Sequence, residues 1–477
     1  MPHVDTPQSA CRFGIARCDV TPPVGIYHRM WGAATHERAT GVHRPLTATA
    51  VLLQDLAGEH QVVLLAVDHC LLWAPEMEAL LTAVAQQAQV PRESILVAFS
   101  HTHGAGLMDA SRSHLPGGEL IAPYLDTLAS RLAAMVQEAR KALQPAVITY
   151  GAGRCALAAH RDFFDATIQQ IVCGFNPGGS SDDTVLLGRV TASDGRLLAT
   201  IVNYACHPTT LAWANTLISP DYPGAMREVV EAATNAPCVF LQGASADLGP
   251  KEGYVGDPAV ADRNGRQLGY AVLATLETLP PPGTRFHYAG AVVSGATLGA
   301  WEHRPLPAEL TVEKAHWHLR RWQLPLPYRA DLPTREAMQK ERAHWLAEES
   351  AARNAGDAAR ARDCRAQIER RDRQLVRLGV LPPGREFPMP ITLWQMGDAC
   401  WVAVESEYYQ HLQRELRRRF PGMPILVLTL VNGSRPSYLP TADAYGKGIY
   451  QESIAALAPG CLEQVVEGVS KQIAAWQ

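Results

Sequence analysis

Seven stretches of the chain are apolar almost without interruption: TATAVLL (47–53), QVVLLAV (61–67), SILVAFS (94–100), LLATIVNYAC (197–206), PCVFLQG (237–243), ACWVAV (399–404) and PILVLTLV (424–431). Short runs of this kind, rich in β-branched residues, predict strands buried on both faces. Between them lie longer segments with apolar residues at i, i+3 and i+4. IAPYLDTLASRLAAMVQEARKAL (121–143) and PGAMREVVEAAT (223–234) are the clearest, and they predict amphipathic helices. Buried strands alternating with helices predict an α/β fold, with one or more mixed sheets covered by helices and buried on both sides. The chain carries no internal repeat.

One region breaks this pattern. Residues 308–378 are rich in Arg, Glu and Ala, with a break at NAGD (354–357). The flanking sequences predict two long antiparallel helices stabilised by i, i+4 charge pairs, a solvated hairpin. Trp317, Trp322 and Trp345 are its candidate apolar face. Such a hairpin can serve as a lid or as a contact between two copies of the chain.

Composition narrows the class. The 477 residues are 47% hydrophobic and 19% charged, enough for a large core, and the formal charge is −4. That balance argues against a nucleic-acid partner, which needs a clustered basic excess. No run approaches the roughly 20 apolar residues that span a bilayer, and the opening residues have no basic segment followed by an apolar one, so no secretory leader is expected. Ten cysteines without CxxC spacing predict free thiols and a reducing, cytoplasmic location.

Candidate chemistry follows the apolar runs. In open α/β sheets, ligands collect beyond the carboxyl ends of strands. SILVAFS is followed by His101 and His103, and LLATIVNYAC by His207. PCVFLQG leads to Asp247, ACWVAV to Glu405 and Glu407, and the last run to Tyr438. Imidazoles, carboxylates and a phenol without sulfur suit an open zinc site, where bound water has a pKa of about 7. If the strand continued through them, His101 and His103 would share a face. Each group also has a structural alternative: a turn histidine before Pro208, acidic residues at a helix start, a core tyrosine. His43, in the polar segment 30–46, is read as a packing or turn residue.

The motifs ARCDVTPPVG, SHTHGAG, NYACHPTTL, NTLISPDYPG, FLQGASADLGP, VAVESEYY and NGSRPSYLPTADAYGKGIYQE occur in an order that resembles the neutral/alkaline (non-lysosomal) ceramidase family, over most of residues 12–300 and again around 385–460. The resemblance implies a zinc-dependent amidase that splits an N-acyl bond. It implies zinc ligands at His101, His207, Glu407 and Tyr438, and active-site partners at His103, Arg161 (in AAHRDFF) and Tyr450. His103, with a pKa expected near neutrality, would move protons, while Arg161 and Tyr450 would stabilise an oxyanion. Asp221 and Asp247 are candidates for orienting a histidine or binding an amine, or else for capping turns and helices.

The departures from the family pattern set further expectations. The position of a family serine is Gly249 here, which disfavours a serine acyl-enzyme, and Ser245 is poorly spaced to replace it. Pro220 stands where the family has glycine before Asp221. The hairpin at 308–378 looks like an insertion into a single catalytic domain spanning 1–477, and no C-terminal immunoglobulin-like domain is expected. These features imply a small-molecule N-acyl substrate that is smaller or more soluble than ceramide. An esterase or lactonase of the same fold, or a scaffold without catalysis, are the alternatives, and the hairpin is a candidate homo-oligomer contact.

Overall fold

The computed structural model describes residues 2–477. An eight-stranded mixed sheet runs in the spatial order Cys238–Gln242, Leu197–Tyr204, Thr184–Ala192, Gln144–Arg154, Gln8–Asp19, Thr47–Gln54, Gln61–Val67, Ile95–Phe99. Its interior pairs are antiparallel and its two outermost pairs are parallel. A second sheet, of four strands, runs Trp317–Pro327, Glu386–Met396, Ala399–Val404, Ile425–Leu428.

The strand residues alternate between two cores. In Gln61–Val67, the residues Val63, Leu65 and Val67 join a cluster beneath helices Ala74–Ala88 and Ile121–Lys141. Their neighbours Val62, Leu64 and Ala66 join another cluster containing Trp394, Trp401 and Leu426 of the second sheet. Ala399–Val404 divides the same way: Ala399, Trp401 and Ala403 face the first sheet, while Cys400, Val402 and Val404 face helices His411–Arg419 and Cys461–Ala474. The period of two therefore places helices on one face of each sheet and the other sheet on the opposite face. The continuous apolar runs correctly imply burial on both faces. The inner cover, though, is a sheet and not a second layer of helices.

The large sheet curls until its outermost strands, Cys238–Gln242 and Ile95–Phe99, touch. The segment after Ile425–Leu428 binds both of them. Thr429 N donates to Gln242 O (3.1 Å), and Asn432 N donates to Val97 O (2.9 Å). Asn432 Oδ1 accepts from Val97 N at 2.7 Å. This three-way junction brings the carboxyl ends of strands from two sheets to one place.

The charged hairpin comprises helices Arg335–Asn354 and Ala358–Val380, with the break near NAGD as expected. Its bounds and apolar face differ from the sequence expectation: residues 308–327 are not part of it. Trp317 and Trp322 lie on strand Trp317–Pro327, paired along its length with Glu386–Met396, and only Trp345 belongs to the hairpin. The sequence WHLRRWQL alternates apolar and polar residues on each side of the Arg320–Arg321 step, which suits a half-buried strand as well as a helix face. Among the described residues no helix is long and apolar enough to cross a membrane, and all ten cysteines are free thiols.

Candidate metal centre and active site

Strand Ile95–Phe99 ends two residues before His101, which takes a left-handed φ of 67°. The strand does not continue through His101 and His103, so the two rings do not share a strand face. His101 N donates to His69 O (2.9 Å) and its Nδ1 donates to Cys70 O (2.8 Å). That bond fixes the tautomer and turns the Nε2 lone pair inward. The adjacent glycine is required by close approach: a Cβ on Gly104 would lie 2.7 Å from Ser219 O.

His207 follows strand Leu197–Tyr204, and its Nδ1 faces Ser245 O at 3.4 Å. Its Nε2 lies 2.9 Å from His101 Nε2. Glu407 Oε2 completes the group, 3.2 Å from His101 Nε2 and 3.7 Å from His207 Nε2. Glu407 and Tyr438 are direct partners in a short parallel ladder, which places both side chains together. Glu405 points elsewhere: Arg435 Nε and Nη2 donate to its two oxygens at 2.9 and 2.8 Å. A second grouping, Cys70 with His101 and His103, shares His101.

Two ring nitrogens and a carboxylate oxygen face one another here, all buried. With both Nδ1 atoms turned to carbonyls, the three inward atoms are acceptors, and their closeness is repulsive unless a positive charge lies between them. Burial opposes charge on His101, yet Cys70 and Glu407 outweigh it and raise its pKa well above the ordinary value. Glu407 is held below the usual carboxylate range: burial works against its charge, but His101, Arg161 and Tyr438 prevail. His101, His207 and Glu407, all buried, are a donor set that fits a divalent cation.

The other candidate residues surround a cavity of about 440 Å³. His103 lines it, with ring centroids 5.0 Å from His101, 5.2 Å from His207 and 5.1 Å from Trp31. Among the described residues its buried Nε2 has no hydrogen-bond partner. Burial, then His101 and Arg161, push its pKa well below the ordinary value, in contrast to the near-neutral pKa expected from the sequence. His207 is held neutral in the same way by burial and by Arg161.

Arg161 is 2% exposed, its N–H held by Asp247 O at 3.0 Å. Its Nη2 lies 3.4 Å from Tyr438 Oη, and its Nε has no partner among the described residues. Tyr450 stands at the rim, 45% exposed, with its ring 5.9 Å from that of Tyr438.

The remaining candidates are structural. Asp247 accepts from Gln410 N (2.7 Å) and Gln410 Nε2 (2.8 Å). His43 bonds to Ser219 Oγ (2.9 Å) and Asp262 (3.1 Å). Asp221 follows Pro220 with φ 56° and caps helix Tyr222–Thr234, accepting from Tyr222 N (2.6 Å) and Leu211 N (2.8 Å). Burial pushes its pKa up to about 6. Asp221→Ala therefore orphans the Leu211 N–H and lowers stability by about 1–3 kcal/mol. Thermal unfolding checks this, with metal content unchanged. Ser245 serves the site through its carbonyl, while its hydroxyl is engaged by Gln242 Nε2. A Cβ at Gly249 would make only ordinary van der Waals contacts, its nearest neighbours being Thr209 Oγ1 (3.8 Å) and Arg161 Cδ (3.9 Å). The missing hydroxyl is thus a change of chemistry and not of packing.

Residues 12–244 match the family model described as neutral/alkaline non-lysosomal ceramidase, N-terminal. That match spans just under half of the chain and makes its N-terminal part similar to that family. Over 218 residues, the chain is 23% identical to the neutral ceramidase of Pseudomonas aeruginosa, covering 45% of the chain and 32% of that relative's length. Its fold also matches the crystal structure of neutral ceramidase from Pseudomonas aeruginosa, with a TM-score of 0.65 at 14% identity. That match covers 98% of this chain and 74% of the other. A ceramidase complexed with C2 matches equally well.

Sequence reasoning alone missed several lining residues of this site: Trp31, Trp213, Tyr254, and Arg370, Arg373 and Arg377 of the hairpin. The arginines repeat at i, i+3 and i+7, a one-face signal present in the sequence. The aromatics come from loops without periodicity and carry no such signal.

Proposed function

We propose that the chain is a zinc-dependent hydrolase that cleaves an amide (N-acyl) bond, with His101, His207, Glu407 and Tyr438 as the metal ligands. The observation that carries this reading is the meeting of His101 Nε2, His207 Nε2 and Glu407 Oε2 within 2.9 to 3.7 Å beside a cavity. Zinc at such a site polarises a carbonyl oxygen and makes water nucleophilic near neutral pH.

The chain's own residues supply the rest. Arg161 lines the cavity with a donor left free to stabilise negative charge on the carbonyl oxygen, and Tyr450 at the rim can add a hydroxyl donor. His103, held neutral, accepts a proton from the attacking water. Its depressed pKa then makes it a strong donor to the departing amine nitrogen. Gly249 leaves no serine nucleophile at that position. The substrate is proposed to be a small or soluble N-acyl compound, not ceramide itself.

His103→Ala should retain zinc while turnover falls by about 10²–10⁴-fold. Metal analysis alongside steady-state rates on a panel of N-acyl amines, esters and lactones provides the check. Loss of zinc in this variant would reverse the roles of His101 and His103. Rates confined to the esters or lactones would replace the amidase reading.

A further inference from the structure

The second hairpin helix, Ala358–Val380, lies over the cavity and contributes Arg370, Arg373 and Arg377 to its wall. Together with Arg161 they make four guanidiniums facing one space, and among the described residues none of the four has a carboxylate partner within ion-pair distance. Glu369 faces the same cavity, but it is already engaged by Arg112 Nη1 (2.9 Å) and Arg365 Nη2 (3.1 Å). Arg373 Nε, like Arg161 Nε, is buried without a hydrogen-bond partner. Arg373 Nη2 donates to Met30 O, which pins the helix to the loop carrying Trp31. Arg377 lies over the Trp73 ring at 5.7 Å, and its Nη1 bonds Gln374 Oε1 at 3.3 Å.

A solvated helix pairs its arginines with acids one turn away, as Arg353 does with Glu349 on the first hairpin helix. Arg370, Arg373 and Arg377 instead hold unspent donors toward the cavity, where guanidinium binds carboxylate or phosphate in bidentate fashion. Another part of the wall is aromatic: Trp31 packs edge-on against Tyr254 (5.8 Å) and Trp213 (6.2 Å). The cavity thus has an apolar side and a cationic side, with the metal-ligand cluster beside both.

We propose that the substrate bears an anionic group, a carboxylate or a phosphate, which Arg370, Arg373 and Arg377 bind while its acyl chain lies against Trp31, Trp213 and Tyr254. This inference rests on the N-acyl hydrolase reading above and names its substrate class. It also gives the hairpin a role in selecting substrates.

The test compares matched probes with the full-length, zinc-loaded protein: N-octanoylglycine against N-octanoylglycinamide, and N-octanoyl-phosphoethanolamine against N-octanoylethanolamine. Rates are measured for all four, and binding is measured by calorimetry on chelator-treated protein, where turnover does not interfere. The expected result is at least about a tenfold preference for one anionic member over its neutral partner, the contribution of one charge-assisted hydrogen bond. The preferred pair identifies the anion as carboxylate or phosphate. In the Arg373→Gln/Arg377→Gln double variant the ratio should fall toward one, and in the Arg373→Lys/Arg377→Lys variant part of it should return, which separates loss of charge from misfolding. Equal or tighter binding of the neutral partners would overturn the inference. If none of the probes is hydrolysed yet the anionic ones bind tenfold tighter, the hydrolase reading fails and the anion site stands.

Discussion

His207→Ala is expected to lose its zinc and, with it, nearly all activity. The ring is buried, and its Nε2 lies 2.9 Å from His101 Nε2. Tyr438 and Glu407 hold fixed places on their ladder, and Cys70 Sγ lies against Nδ1 of His101, the ring edge away from His207. Lewis-acid stabilisation of several kcal/mol corresponds to a rate loss on the order of a thousandfold or more. The stability readout is equally specific. Chelation should lower the melting temperature of the parent protein, because bound ligand stabilises only the folded state. The variant should melt at a temperature that no longer responds to chelator. Full zinc content in His207→Ala would count against the assigned ligand set.

Arg161→Leu should separate stability from activity. The guanidinium is 2% exposed and finds no carboxylate, only the Tyr438 hydroxyl at 3.4 Å and ring contact at 5.6 Å. Burial disfavours its charge, and among the described residues no carboxylate lies within ion-pair distance to offset that. A buried cation without a counter-ion is a cost to folding, so replacing it with an apolar side chain should leave the melting temperature unchanged or raise it. Turnover should fall by about 10²–10³-fold, the effect of removing one oxyanion donor. Arg161→Lys, keeping the charge without the fork, should recover part of the rate. A variant that melts earlier and turns over normally would make Arg161 a packing residue.

Much of this arrangement is legible in the chain. Each of the seven apolar runs contains a strand, and ACWVAV matches Ala399–Val404 to the residue. Helices Ile121–Lys141 and Tyr222–Thr234 fall where the i, i+3, i+4 spacing places them. His101, His207, Glu407 and Tyr438 each follow an apolar run, as residues at strand ends must if strands converge. The convergence itself is not legible, because His101 and His207 belong to distant strands of the large sheet, while Glu407 and Tyr438 come from beyond the second sheet. Only curling of the first sheet and the bridge made by Thr429 and Asn432 joins them. Strands such as Gln144–Arg154 and Thr184–Ala192 escape notice because polar residues and glycines break their runs.

The hairpin shows the opposite failure. Its composition reads as a solvated surface, and half of its arginines do pair with acids on the hairpin itself. What the composition conceals is that one face, with Arg370, Arg373 and Arg377, turns inward over a cavity whose other walls come from distant parts of the chain, from Met30 to Tyr450. A helical pattern identifies a face; only tertiary contact identifies what that face meets.

The most direct test of the central claim is anomalous scattering at the zinc edge from crystals of protein purified without chelator. The account predicts one peak, enclosed by His101 Nε2, His207 Nε2 and Glu407 and bordered by Tyr438. A fully active protein with no peak at that position would contradict it.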